Sequence, residues 1–131
     1  MHNFHLNATT DTPEIHFDFN NHHLSIAGEA YPENAALFFH PILISLKEYF
    51  NTLTDATVKV TFHLTYFNSA STKMLYTLFD LLDTVAAQQK NSITLQWLHD
   101  EDDDAMQEFG MDAKSDFSHV DFIICSEAHA R

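Results

Sequence analysis

Thr57-Val58-Lys59-Val60-Thr61-Phe62-His63-Leu64-Thr65-Tyr66-Phe67 is the stretch whose reading decides the fold. Val58, Val60, Phe62, Leu64 and Tyr66 alternate with Thr57, Lys59, Thr61, His63 and Thr65, the period-two pattern of a strand with one buried face. The pattern stops at Asn68-Ser69-Ala70-Ser71-Thr72-Lys73. Beyond it Leu75, Leu78, Phe79, Leu82 and Val85 recur at helical spacing, which predicts a helix over about 71–89. The junction holds small and polar residues, three of them hydroxyl-bearing. Asn68, Ser69 or Ser71 is therefore expected to accept a hydrogen bond from the first free amides of that helix.

Working outward, 14–19 alternates Ile15, Phe17 and Phe19 with polar residues, and 24–29 alternates again. Asn20-Asn21-His22-His23 between them is turn-like, so the two form a hairpin. Asn34, after Tyr31-Pro32-Glu33, is placed to cap a helix over 35–50 with Phe38, Ile42, Leu46, Tyr49 and Phe50 along one side. Pro41 inside it predicts a kink or a later start. A strand over 92–98 points Ile93, Leu95 and Trp97 inward, a short helix spans 103–113, and a last strand spans 120–125. The order is β-β-α-β-α-β-α-β, an α/β single domain over 14–125 with a flexible lead-in at 1–13 and a tail at 126–131. Strands covered on both faces are apolar on both. These alternate, so a mixed sheet carrying its helices mainly on one face is expected.

Composition removes several function classes. The 131 residues include two glycines, Gly28 and Gly110, and a phosphate-cradling loop or dinucleotide fingerprint needs glycines in a cluster. Six basic against nineteen acidic side chains give a formal net charge of -13, which repels nucleic acid and anionic lipid and favours a partner with a basic surface. No apolar run approaches the roughly 18 residues of a membrane span, and Met1-His2-Asn3-Phe4-His5 lacks the marks of a secretory signal. Cys125, the single cysteine, is read as a buried thiol in a reducing cytoplasm. The ten histidines are scattered, without a His-Glu-x-x-His motif, and read as surface residues. The acidic run Asp100 to Asp104 lacks a calcium-loop pattern and reads as a solvated helix start favoured by the helix dipole. No Gly-x-Ser-x-Gly elbow is present. The chain is thus expected to be no enzyme, with no metal, cofactor or small-molecule substrate.

Ala30-Tyr31-Pro32-Glu33-Asn34-Ala35, Leu64-Thr65-Tyr66-Phe67-Asn68-Ser69 with Ser71 and Lys73, and Trp97-Leu98-His99-Asp100-Glu101-Asp102-Asp103 together resemble the SiaC family of bacterial biofilm-regulation phosphoproteins, over roughly 13–125. The resemblance implies a fold similar to the STAS domains of anti-sigma factor antagonists. It implies three partners: a Ser/Thr kinase, a PP2C-type phosphatase, and a diguanylate cyclase that the unmodified form binds and activates, raising cyclic di-GMP. The family's modified hydroxyl follows the motif asparagine, which puts it on Ser69, where serine replaces the family's threonine; Ser71 and Thr72 are rival positions. Tyr31, Pro32, Glu33, Asn34, Tyr66, Phe67, Asn68, Ser71 and Lys73 are the implied partner-binding residues. A hydroxyl at a helix start suits this role independently, because free N–H groups and the dipole accommodate a phosphate. An anti-sigma factor antagonist acting on transcription is the alternative, since its switch chemistry is the same. A small metal enzyme built on the acidic run and histidines is a third reading.

Overall fold

Alternating burial along every long strand shows why the sheet is covered on one side only. The computed structural model describes residues 2–128. The strands are β1 (Phe4–Leu6), β2 (Glu14–Asp18), β3 (His23–Ala30), β4 (Thr57–Phe67), β5 (Ser92–Asp100) and β6 (Asp121–Glu127), and they lie side by side in sequence order. The helices are α1 (Ala35–Asn51), α2 (Ser69–Ala87) and α3 (Asp104–Asp116). β1–β2 and β2–β3 pair antiparallel; β3–β4, β4–β5 and β5–β6 pair parallel. Each parallel connection carries one helix. Strands advancing in one direction with crossovers of one hand put all three helices on the same face. Val58, Val60, Phe62 and Leu64 on β4 and Ile93, Leu95 and Trp97 on β5 are buried beneath them, while Thr57, Lys59 and Thr65 stay exposed. The α/β class and the one-sided layering are as the alternation predicts.

Three differences have physical causes. First, the stretch expected as a loose lead-in contains β1. Phe4 and Leu6 pair with Phe17 and Ile15 and rest on the core, and Asn3 Oδ1 accepts from the Phe19 amide at 3.1 Å. Second, β6 runs to Glu127, past the expected end at 125; of the expected tail, 129–131 lie outside the described residues. Third, Tyr66 does not join the buried face of β4. The β3–β4 register passes from Gly28↔Leu64 to Glu29↔Tyr66, which leaves Thr65 unpaired as a bulge. Gly28 takes φ +120° there, a backbone conformation that side chains disfavour. Past the bulge Tyr66 is 51% exposed, and Phe67 turns to the core with its ring 4.7 Å from Phe109 and 6.2 Å from Trp97.

Helix α1 is continuous through Pro41, which is exposed, so the residue costs one bond to the Leu37 carbonyl and does not delay the start. Helix α2 begins two residues earlier than the spacing predicts. Helix α3 is capped by Asp103, whose carboxylate accepts from the Met106 amide at 3.1 Å. It packs on Trp97, whose Nε1–H donates to the Met106 carbonyl at 2.9 Å. The surface reading of the histidines fails at His99, which is 3% exposed because it lies on the helix-covered face of β5. Cys125 is half-buried, and its Sγ accepts from Gln96 Nε2 at 3.5 Å.

Gly110 lets α3 approach Trp97 closely, since a Cβ there would stand 2.5 Å from Trp97 Cδ1 and 2.9 Å from Nε1. Gly110→Ala gains about 1 kcal/mol of helix propensity but overpacks a rigid indole, which costs typically 1–3 kcal/mol. We expect a net loss of roughly 1 kcal/mol in urea unfolding; a variant more stable than the wild type would show that α3 shifts freely over the indole.

Candidate functional site

Two adjacent parallel strands that end together bring their following loops together. Ala30 pairs with Phe67 at the ends of β3 and β4, and the Asn68 amide donates to the Ala30 carbonyl at 3.2 Å, one step further. Tyr31-Pro32-Glu33-Asn34 and Asn68-Ser69-Ala70 therefore leave the sheet side by side. The Tyr31 and Tyr66 rings meet edge-on at 5.6 Å, and the Tyr31 amide is tied to the Asp11 carbonyl at 2.8 Å.

Both segments enter helices through the same device. Asn34 Oδ1 accepts from the Leu37 amide at 3.0 Å, and Asn68 Oδ1 accepts from the Ser71 amide at 3.0 Å. Of the three candidate caps at the second junction, Asn68 is the one used. Ser69 is consequently the first residue of α2, where amides have no carbonyl within the helix to receive them.

The three hydroxyls differ sharply in setting. Ser69 is exposed, and its side chain makes no hydrogen bond among the described residues. Ser71 is fully buried, with its Oγ unpartnered among the described residues. Thr72 is half-buried, and its Oγ1 donates to the Asn68 carbonyl at 3.2 Å. Lys73 is exposed one turn after Ser69. Pro32 is buried and Phe67 faces the core, so these two and Ser71 shape the surface from beneath, while Tyr66, Glu33, Asn34 and Lys73 present it.

A shallow groove of about 710 Å³ opens beside the junction, lined by Glu33, Asn34, Ala70, Lys73, Met74 and Thr77. Met74 and Thr77 did not emerge from the motif reading. The signal for them is helical spacing from Ala70, which brings Met74 and Thr77, four and seven positions on, to one face. The acidic run lies elsewhere, at the end of β5 and the start of α3. There Asp100 Oδ1 stands 3.3 Å from His63 Nε2, and Glu127 Oε2 stands 3.7 Å from His63 Nδ1. Among the described residues no group of three or more His, Cys, Asp or Glu is arranged to hold a metal ion. No helix among them is long and apolar enough to cross a membrane.

A family model described as SiaC family regulatory phosphoprotein matches residues 6–127. An uncharacterized protein of Pseudomonas aeruginosa (strain UCBPP-PA14) is 29% identical over 129 residues, covering 98% of both chains. Among solved structures, SiaC of Pseudomonas aeruginosa matches with a TM-score of 0.84 at 24% identity, over 98% of this chain and 100% of that one. The crystal structure of the diguanylate cyclase SiaD in complex with its activator SiaC, also from Pseudomonas aeruginosa, gives a match of the same TM-score and identity, over 96% of this chain and 99% of the matched one.

The cap geometry separates the roles of neighbouring residues. Asn68→Ala leaves the Ser71 amide unpaired and should cost about 1 kcal/mol. Ser69→Ala removes a hydroxyl without partners and should stay within about 0.5 kcal/mol of the wild type. Chemical denaturation of the two variants reads both values, and equal losses would mean that Ser69 shares the capping.

Proposed function

Since the chain belongs to the SiaC family of regulatory phosphoproteins, we propose that it is a phosphorylation-controlled adaptor whose unmodified form binds and activates a diguanylate cyclase. A partner Ser/Thr kinase transfers phosphate to Ser69, and a PP2C-type phosphatase removes it. The chain acts in the cytoplasm as a regulatory partner of an enzyme and performs no chemistry of its own.

The observation that carries this reading is the setting of Ser69. It alone of the three hydroxyls is exposed and unengaged, at the first position of α2 and beside the Tyr31–Asn34 loop. Phosphate on Ser69 adds a charge of about −1.5 to −2 where helix amides, the dipole and Lys73 receive it, so the fold keeps its stability. The surface changes instead. A dianion inside a contact that formerly excluded water costs both solvation and repulsion, and the partner is released. Burial of Ser71 and the engaged hydroxyl of Thr72 weigh against those rivals. SiaC of Pseudomonas aeruginosa is described as the activator of the diguanylate cyclase SiaD, which favours a cyclase over an anti-sigma factor as the partner here.

Intact-mass spectrometry after incubation with the cognate kinase and ATP should show one added phosphate on the wild type and none on Ser69→Ala. Uptake by the alanine variant at the wild-type level would move the site elsewhere. In a pull-down of the cyclase, Ser69→Ala should bind as the wild type does, and Ser69→Asp about tenfold more weakly or worse.

A further inference from the structure

The helices cover one face of the sheet, and the other is open. Strand registers align its side chains in rows: His5, His16, Ser25, Thr61, Gln96 and Ile123 form one that crosses all six strands. The middle of this face carries no charge. Ser25, Ala27, Thr61, Gln96, Leu98 and Cys125 are half-buried there, and Ile123 beside them is 39% exposed. Polar groups in the middle are turned on one another. Thr61 Oγ1 donates to Gln96 Oε1 at 3.4 Å, and Gln96 Nε2 donates to Cys125 Sγ at 3.5 Å, which links β4, β5 and β6. Side chains already paired and fixed in the plane of the sheet lose little solvation and little rotamer freedom when a partner covers them.

Carboxylates border that middle. Glu14 and Asp18 stand on β2, Asp100 at the end of β5, and Asp121 and Glu127 on β6, with Asp100 and Glu127 beside His63. Lys59 is the one lysine or arginine on this face among the described residues. An uncharged centre within a charged rim is the anatomy of a protein–protein contact. Six strands about 4.8 Å apart, the longest parallel ones near nine residues at about 3.3 Å each, give a face of roughly 24 by 30 Å. That is close to the ~800 Å² that a standard interface takes from each partner. A second copy of the chain would set carboxylates against carboxylates, so charge selects a partner rimmed by Lys and Arg.

We propose that the open face is the docking platform of the phosphatase, which meets it with an apolar patch bordered by basic side chains. This rests on the adaptor reading above. A partner released by phosphate on Ser69 must hold Ser69 within its contact. The phosphatase is under the opposite demand, because its substrate and its product differ only at that position. Contacts on the open face are the same for both forms and select this chain among other phosphoproteins. The phosphorylated chain is also the more acidic form, by about 1.5 to 2 charges beyond the formal -13, which favours capture by a basic surface. The platform and Ser69 adjoin at the carboxyl ends of β4 and β5, where Asp100 ends one strand and Asn68 follows the other, so one enzyme can hold the first and reach the second.

Asp121→Lys/Glu127→Lys tests this by reversing the rim on β6, away from Ser69 and its cap. The chain phosphorylated by the cognate kinase is the substrate, and phosphate release by the phosphatase of the same organism is followed at about 50 and about 300 mM salt. The thermal midpoint of each variant serves as a folding control. KM should rise at least about tenfold for the double-lysine variant with kcat within about twofold, because contacts common to substrate and transition state are removed. Asp121→Glu/Glu127→Asp should stay within about twofold of the wild type, and the wild-type KM should rise with salt. Cyclase binding by the double-lysine variant should be unchanged. A double-lysine variant that keeps the wild-type KM, or that loses the cyclase instead, would overturn the platform and leave the adaptor reading standing. A wild-type chain that the kinase does not modify or the phosphatase does not restore would overturn both. Sedimentation showing a wild-type dimer that the double-lysine variant abolishes would assign the face to a second copy of this chain and likewise overturn the proposal.

Discussion

The Asn68 amide reaches the Ala30 carbonyl one step beyond the last paired residues of β3 and β4, and both loops of the candidate site take their starting positions from that bond. Beyond it the chain leaves the sheet twice, at Tyr31 and at Ser69, within one strand spacing. Parallel pairing alone would bring the two loops to the same edge. The bulge at Thr65 adds the detail that matters, because it rotates Tyr66 out to meet Tyr31 and drives Phe67 in against Trp97 and Phe109. The helix start is thereby anchored to the core through Phe67 and displayed to solvent through Ser69. A helix start held to the core by Phe67 and exposed at Ser69 gives a rigid mount for the proposed switch.

That mount explains how the proposed modification can be tolerated and still be read. A helix start already lacks acceptors for its first amides, and Asn68 supplies one of them from its own side chain. An anion at Ser69 meets the remaining amides without displacing the cap. On the proposed reading the interior therefore has no reason to rearrange, and the signal is carried by electrostatics at the surface. Charge of this kind acts over about a Debye length, which takes in Lys73, one helical turn from Ser69.

Much of this was legible in the sequence because it rests on local rules. The period-two run from Val58 to Leu64 marks β4, and the helical run from Leu75 to Leu82 marks the buried face of α2; both faces are buried as those spacings require. Asn34 stands as the cap of α1, where its position before a helical run places it. What escaped depends on partners distant in the chain. Three residues are too few to display a period, so β1 shows only through Phe4 and Leu6 meeting Phe17 and Ile15. The exchange of roles between Tyr66 and Phe67 follows from a register shift opposite Gly28, which nothing within β4 announces. Likewise His99 has the composition of a surface residue, but the parity of β5 turns it inward with Trp97. Asn68, Ser69 and Ser71 are equally good caps on paper, and the choice among them is made by where the β3–β4 ladder stops.

The strand order bears on the shape of this end of the molecule. In open α/β sheets a ligand crevice forms where neighbouring crossovers diverge to opposite faces, which requires the strand order to reverse. Here β3, β4, β5 and β6 advance without reversal and all three helices lie on one face. The carboxyl ends of the strands thus carry a ledge of loops and helix starts instead of a cleft. A ledge surrounds a small substrate poorly, leaving reacting groups in water and their electrostatics weakened. The same ledge offers a protein partner a broad and stiff surface, and on the proposed reading a single covalent charge at its edge changes which partner fits.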